Sequence, residues 1–113
     1  MSAQTQVQER RHQYAIENAL DNKSKKLWKK MQPRERAKLF RALEDFCVNG
    51  IQSTYYQGGY VSIQLGYLKI KGHGYRMIIT HDDTIELPHH EGVVYVKAIV
   101  PRKQLQQWID NHR

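Results

Sequence analysis

The chain predicts an α+β fold: N-terminal helices, then an antiparallel sheet of about four to five strands, then a C-terminal amphipathic helix. Three observations carry this expectation. Apolar residues recur at helical spacing as far as Cys47. From Gly58-Gly59 onward they alternate with period two and are punctuated by glycines. After Pro101 the helical period returns. Strands gathered together with short connections mark α+β, since parallel crossovers need helices interleaved between strands. At 113 residues the chain makes a single domain with one modest core.

The elements follow in order. Thr5 is a candidate cap for a first helix over residues 5–20, with Val7, Tyr14, Ala15, Ile16 and Leu20 as its scattered apolar positions. Residues 1–22 therefore read as a peripheral helical extension. Asp21-Asn22 breaks it. Ser24 then caps a short helix that carries Leu27, Trp28 and Met31 on one face. Pro33 suits the first turn of the next helix, where its missing N–H would be unpaired anyway. That helix runs to about Asn49, and Gly50 ends it. Leu39, Phe40, Leu43, Phe46 and Cys47 form its apolar stripe, with Arg34, Lys38 and Arg41 on the solvated side.

The second half changes period. Val61, Ile63 and Leu65 alternate in one phase, and Leu68 and Ile70 in the other. A slip of one residue sends every side chain to the wrong face, so Gly66-Tyr67 reads as a bulge or a tight turn. Gly72-His73-Gly74 is a second turn. Residues 75–80 form a strand, His81-Asp82-Asp83 a turn, and residues 84–87 the partner strand. After a loop over 88–92, residues 93–100 make the most hydrophobic strand, expected at the centre. Pro101 opens the final helix, with Leu105, Trp108 and Ile109 facing inward.

Charge is distributed unevenly. Of the nineteen residues 23–41, nine are basic and only Glu35 is acidic. That segment carries +8 in a chain of net charge +7, so the remainder is close to neutral. Like charges this dense repel unless a polyanion or counterions screen them, which points to a polyanionic partner: nucleic acid, an anionic surface or an acidic protein. No apolar run approaches the ~20 residues of a membrane span. The first twenty residues lack an apolar signal core, and a cytoplasmic location is the expectation. The single cysteine excludes an intramolecular disulfide framework and a Cys-pair zinc site.

The candidate binding residues are Lys25, Lys26, Lys29, Lys30, Arg34, Lys38 and Arg41 for phosphates, and Tyr55, Tyr56 and Tyr60 for stacking. The tyrosines flank Gln57-Gly58-Gly59, a combination able to hold bases or a protein partner, or simply to pack a sheet edge. Trp28 lies among lysines and has two readings, a stacking platform or a core anchor beside Leu27 and Met31. Its spacing favours the anchor. Proton chemistry near neutral pH rests on the histidines. Cleavage of RNA without a metal needs a base, an acid and cations on the phosphate, and Arg76, His81 and Glu86 are residues of those types. His81, Asp82, Asp83, His89, His90 and Glu91 are metal-ligand types, but His89 and His90 point apart if extended and no helical HxxxH spacing converges them; with no phosphate-loop glycine pattern either, neither metal nor cofactor is expected. Cys47 sits on the apolar stripe as an inert core thiol.

The stretch Tyr75-Arg76-Met77-Ile78-Ile79-Thr80-His81-Asp82-Asp83-Thr84-Ile85-Glu86-Leu87 is similar in style to the central hairpin of the RelE/ParE superfamily of small bacterial toxins. The order of elements over residues 24–100 resembles that family's layout as well. The resemblance implies ribosome-associated mRNA cleavage or a gyrase-directed toxin of a toxin–antitoxin pair. The N-terminal segment and the final helix depart from it. Three functions are thus expected, in order: a nucleic-acid-binding protein, a metal-independent endoribonuclease, and a module that docks on an acidic or nucleic-acid-associated protein.

Overall fold

The computed structural model describes residues 14–59 and 64–112. Five strands form one sheet: β1 (Tyr14–Asn18), β2 (Tyr56–Gly58), β3 (Leu65–Leu68), β4 (Tyr75–Asp82) and β5 (Gly92–Pro101). Their spatial order is β1-β5-β4-β3-β2. Helices α1 (Asn22–Lys30) and α2 (Pro33–Asn49) pack on one face, and α3 (Leu105–Asn111) packs on the other. The α+β class holds. Strands β2 to β5 are an antiparallel meander, with helices before and after it.

The sheet is mixed rather than wholly antiparallel, because β1 joins it parallel to β5. The register runs from Tyr14 opposite Gly92 to Asn18 opposite Val96. Residues 14–18, predicted as the end of a helix, are therefore a strand; the start of that helix lies outside the described residues. Tertiary pairing outweighs local preference here. β5 is long and apolar, and without β1 one whole side of its backbone would lack partners.

Local chemistry sets the helix ends. Asp21 caps α1, its carboxylate accepting the Ser24 N–H at 2.7 Å. Ser24, predicted as the cap, instead lies within the first turn and is buried. Pro33 opens α2 as expected, and the Glu35 carboxylate reaches back to the Gln32 N–H at 3.2 Å. Gly50 ends α2 at φ 59°, with its N–H on the Phe46 carbonyl. Leu39, Leu43, Phe46 and Cys47 are buried along the stripe together with Ala42. Phe40 departs from the expectation and is 47% exposed.

Gly66 and Tyr67 lie inside β3 and make no turn. Leu65 faces the α3 side with Ile78, Ala98 and Val100, whereas Leu68 faces α1 and α2. The sheet is covered on both faces, so both phases are apolar and the change of phase needs no bulge. Val61 and Ile63 lie outside the described residues. Two further expectations fail in the next segment. β4 continues through His81 to Asp82, and residues 84–87 are not a strand. Asp82 ends β4 by accepting from the Thr84 N–H at 2.9 Å and its hydroxyl at 2.6 Å, which turns the chain away. Leu87 and His90 then exchange backbone hydrogen bonds before the chain returns at Gly92.

β4 takes the middle of the sheet, and β5 lies between it and β1. Ile78 pairs with Ala98 but Ile79 pairs with Val96, so β5 carries one extra residue, Lys97. This bulge changes the phase of β5. Val94, Val96 and Ile99 all face α1 and α2, while Ala98 and Val100 face α3. Pro101 ends β5 and does not start the helix. A turn over Arg102–Gln104 intervenes before α3, which buries Ile109 and half-buries Leu105 and Trp108.

Candidate nucleic-acid interface

The basic segment folds into α1 and α2, and its apolar residues pin it to the sheet. Leu27 and Trp28 are half-buried, and Met31, Leu39 and Leu43 are buried. Lys23, Lys25, Lys26, Lys29, Lys30, Arg34, Lys38 and Arg41 are all exposed. None of the eight is ion-paired or hydrogen-bonded through its side chain among the described residues; the contact found there between a basic and an acidic side chain joins His81 to Asp83. The ninth cation, Arg36, does a different job. Its guanidinium donates to the carbonyls of Met31 at 2.8 Å and Trp28 at 3.2 Å. Both carbonyls lie at the C-terminal end of α1, where that of Trp28 receives only a long bond from the Met31 N–H at 3.3 Å, so Arg36 ties the joint between α1 and α2. The charge is thus displayed on two braced helices.

Beside these cations lies an open groove of about 370 Å³ between β1, α1 and α2. Ile16, Trp28, Phe40 and Val96 give it apolar walls, and Lys25 and Lys29 line it as well. Trp28 packs against the core, the reading its spacing favours, and it also lines the groove.

The tyrosines have other surroundings. Tyr56 lies in β2 with its ring 5.0 Å from that of Phe46. It occupies space that only glycine leaves open, since a Cβ on Gly58 or Gly66 would overlap its ring. Tyr55 is half-buried against the same core. Tyr60 lies outside the described residues.

Arg76, His81 and Glu86 are not brought together. Five residues apart on one strand, Arg76 and His81 point to opposite faces of the sheet. Arg76 is buried and donates to the carbonyls of His73 at 2.9 Å and Tyr75 at 3.2 Å. Burial pulls its guanidinium below the usual value. His81 is 6% exposed and stands in an aromatic box, its ring 5.7 Å from Phe46, 5.9 Å from Tyr14 and 6.2 Å from Tyr56. Its Nδ1 lies 3.1 Å from Asp83 Oδ1, which also accepts the Tyr14 hydroxyl at 2.7 Å. Burial raises the Asp83 carboxyl, but hydrogen bonds from Tyr14 and His81 outweigh it and hold the group below the usual carboxylate range. Burial, with the Asp83 hydrogen bond, drives the Tyr14 phenol well upward. His81 Nε2 and the Tyr56 hydroxyl are buried without a hydrogen-bond partner among the described residues.

Sequence reading missed Tyr14 and Asp83 as members of this cluster. Tyr14 was placed in a helix and Asp83 in a turn, and only the β1–β5 pairing brings them together. The one local signal was Gly92, whose missing side chain leaves room for the Tyr14 ring. Next to the cluster, Tyr14, Asp83, Glu86, Leu87, His90 and Glu91 line a polar cavity of about 590 Å³. With three carboxylates in its wall, this cavity repels phosphate, whereas the helical face attracts it.

His73 and Cys47 serve the fold. The Tyr75 N–H donates to His73 Nδ1 at 3.1 Å, so Nε2 carries the proton and donates to the Glu35 carbonyl at 3.0 Å. Cys47 is fully buried, and burial, aided by Glu44, pushes its thiol up to about 12. No helix among the described residues is long and apolar enough to cross a membrane. No group of three or more His, Cys, Asp or Glu among them stands ready to hold a metal ion. No protein family, curated protein or solved structure matches the chain.

Proposed function

We propose that this protein binds nucleic acid through the basic surface of α1 and α2. One observation carries the reading. Eight cations are exposed on two adjoining helices, with no acidic side chain paired to them among the described residues. A solubility surface would intersperse both signs, because mixed charges lower the self-repulsion of the folded state. Here the repulsion is left in place, and phosphates are the groups that relieve it. Lys26, Lys30, Arg34 and Lys38 contact the backbone, and the contacts release condensed counterions.

The test is the salt dependence of binding. Labelled DNA and RNA oligonucleotides are titrated with protein over a series of salt concentrations. If about six phosphates are neutralised, affinity falls roughly a thousandfold between about 50 and 200 mM salt. Association that ignores salt, or no association at low salt, refutes the proposal. The ribonuclease reading lacks a comparable observation, since Arg76 and His81 face apart and the cavity near His81 is acidic.

A further inference from the structure

We infer that the groove between β1, α1 and α2 is a nucleobase site, and that the preferred ligand is an unpaired stretch of nucleic acid. The inference rests on the nucleic-acid reading above and adds where the bases go. Its starting point is the groove's composition. Trp28 and Phe40 put two aromatic rings in the lining, with Ile16 and Val96 beside them. Phe40 and Ile16 are 47% and 39% exposed, and of the four large apolar side chains exposed among the described residues these two meet at the groove. Lys25 and Lys29 line the same groove, one turn apart on α1, and none of the described residues that line it is acidic.

This combination selects its occupant. Flat, apolar faces attached to anionic groups match aromatic walls set beside ammonium groups. The groove's volume of about 370 Å³ lies within the roughly 300–1,000 Å³ range of small-ligand sites. A second copy of this chain is disfavoured, since it would bring another +7 against the same lysines. The body of a duplex offers phosphates but keeps its bases paired and stacked inward, so it can use the cations and not the groove. An unpaired strand can use both. A base lies against Phe40 and Trp28 while its flanking phosphates reach Lys25 and Lys29.

Fluorescence tests this directly, because the chain has two tryptophans, Trp28 and Trp108. Trp108 packs on the α3 side, stacked on His112 at 3.7 Å, so Trp108→Phe leaves Trp28 as the sole reporter. This variant is titrated with a single-stranded oligonucleotide, the matching duplex, inorganic polyphosphate and an acidic amphipathic peptide. The expected result is quenching of Trp28 by the single strand alone. Phe40→Ser, at a half-exposed position, should weaken single-strand binding about tenfold and leave duplex binding unchanged. Single-strand binding without quenching, or a Phe40→Ser variant that binds both forms like the parent, overturns the inference while leaving the basic surface as the binding face. Quenching by the acidic peptide and not by the oligonucleotide overturns it in favour of a protein partner. Absence of binding to every nucleic acid defeats the underlying reading as well.

Discussion

Ser24 shows how one hydroxyl can stand in for a strand. β1 ends at Asn18 opposite Val96, with a last hydrogen bond from the Ala19 N–H to the Val96 carbonyl. β5 continues beyond it to Pro101. The backbone of Ile99 is thus left without a strand neighbour on that side, and Ser24 on α1 supplies both partners. The Ile99 N–H donates to Ser24 Oγ at 2.8 Å, and Oγ donates to the Ile99 carbonyl at 3.3 Å. Removing the hydroxyl strands a buried donor, which costs about 1–3 kcal/mol. Ser24→Ala is therefore expected to lower the urea midpoint with an unchanged slope. A midpoint equal to that of the parent would mean that water reaches Ile99 and the bridge contributes nothing. None of this is legible locally. Asp21 and Ser24 are both good capping residues, and the choice between them is made by a strand 75 positions away in sequence.

At the scale of elements, the sequence is readable where a segment's environment is one-sided. α2 has one buried and one solvated face, so its opening proline, its closing glycine and every member of its apolar stripe except Phe40 agree with the structure. β3 is different. It is covered on both faces, and alternation then carries no information about direction. Gly66 looked like a turn residue for that reason. Its actual requirement is steric: a Cβ there would overlap the Gln57 carbonyl oxygen and the Tyr56 ring. The first of these is backbone and cannot swing away. Gly66→Ala should therefore force β2 and β3 apart at a cost of about 1–3 kcal/mol, read from the thermal or urea midpoint. Gly74 provides the internal comparison. Nothing lies within 4 Å of a Cβ placed there, so Gly74→Ala should change stability by less than about 0.5 kcal/mol. Equal effects at the two positions would show that conformational entropy, not the close approach, sets the need for glycine. β1 was the element least open to sequence reading. Its five residues offer no clean period, and only the open side of β5 makes them a strand.

Across the whole molecule, exposed positive charge is densest on one layer. The α1–α2 layer holds the eight exposed cations, while Asp82, Asp83, Glu86 and Glu91 gather around the loop that links β4 to β5. The basic half of this pattern was legible because it is contiguous in sequence. The groove was not, since one of its walls is β1. Position and net charge can be separated as causes of the binding proposed above. Reversing Lys26, Lys30 and Arg34 to glutamate removes six units of charge from the helical face. Reversing Lys97, Arg102 and Lys103, which are also exposed, removes the same six from β5 and the turn before α3. Long-range attraction to a polyanion depends on the total, whereas counterion release depends on which cations meet phosphate. The first triple variant should lose nearly all affinity and flatten the slope of affinity against salt by about three units. The second should bind more slowly, with a slope close to that of the parent. Isotherms at several salt concentrations, with association rates for each variant, distinguish these outcomes. Identical losses in both would make the protein a diffuse polycation, and the arrangement of α1 and α2 would then have no part in recognition.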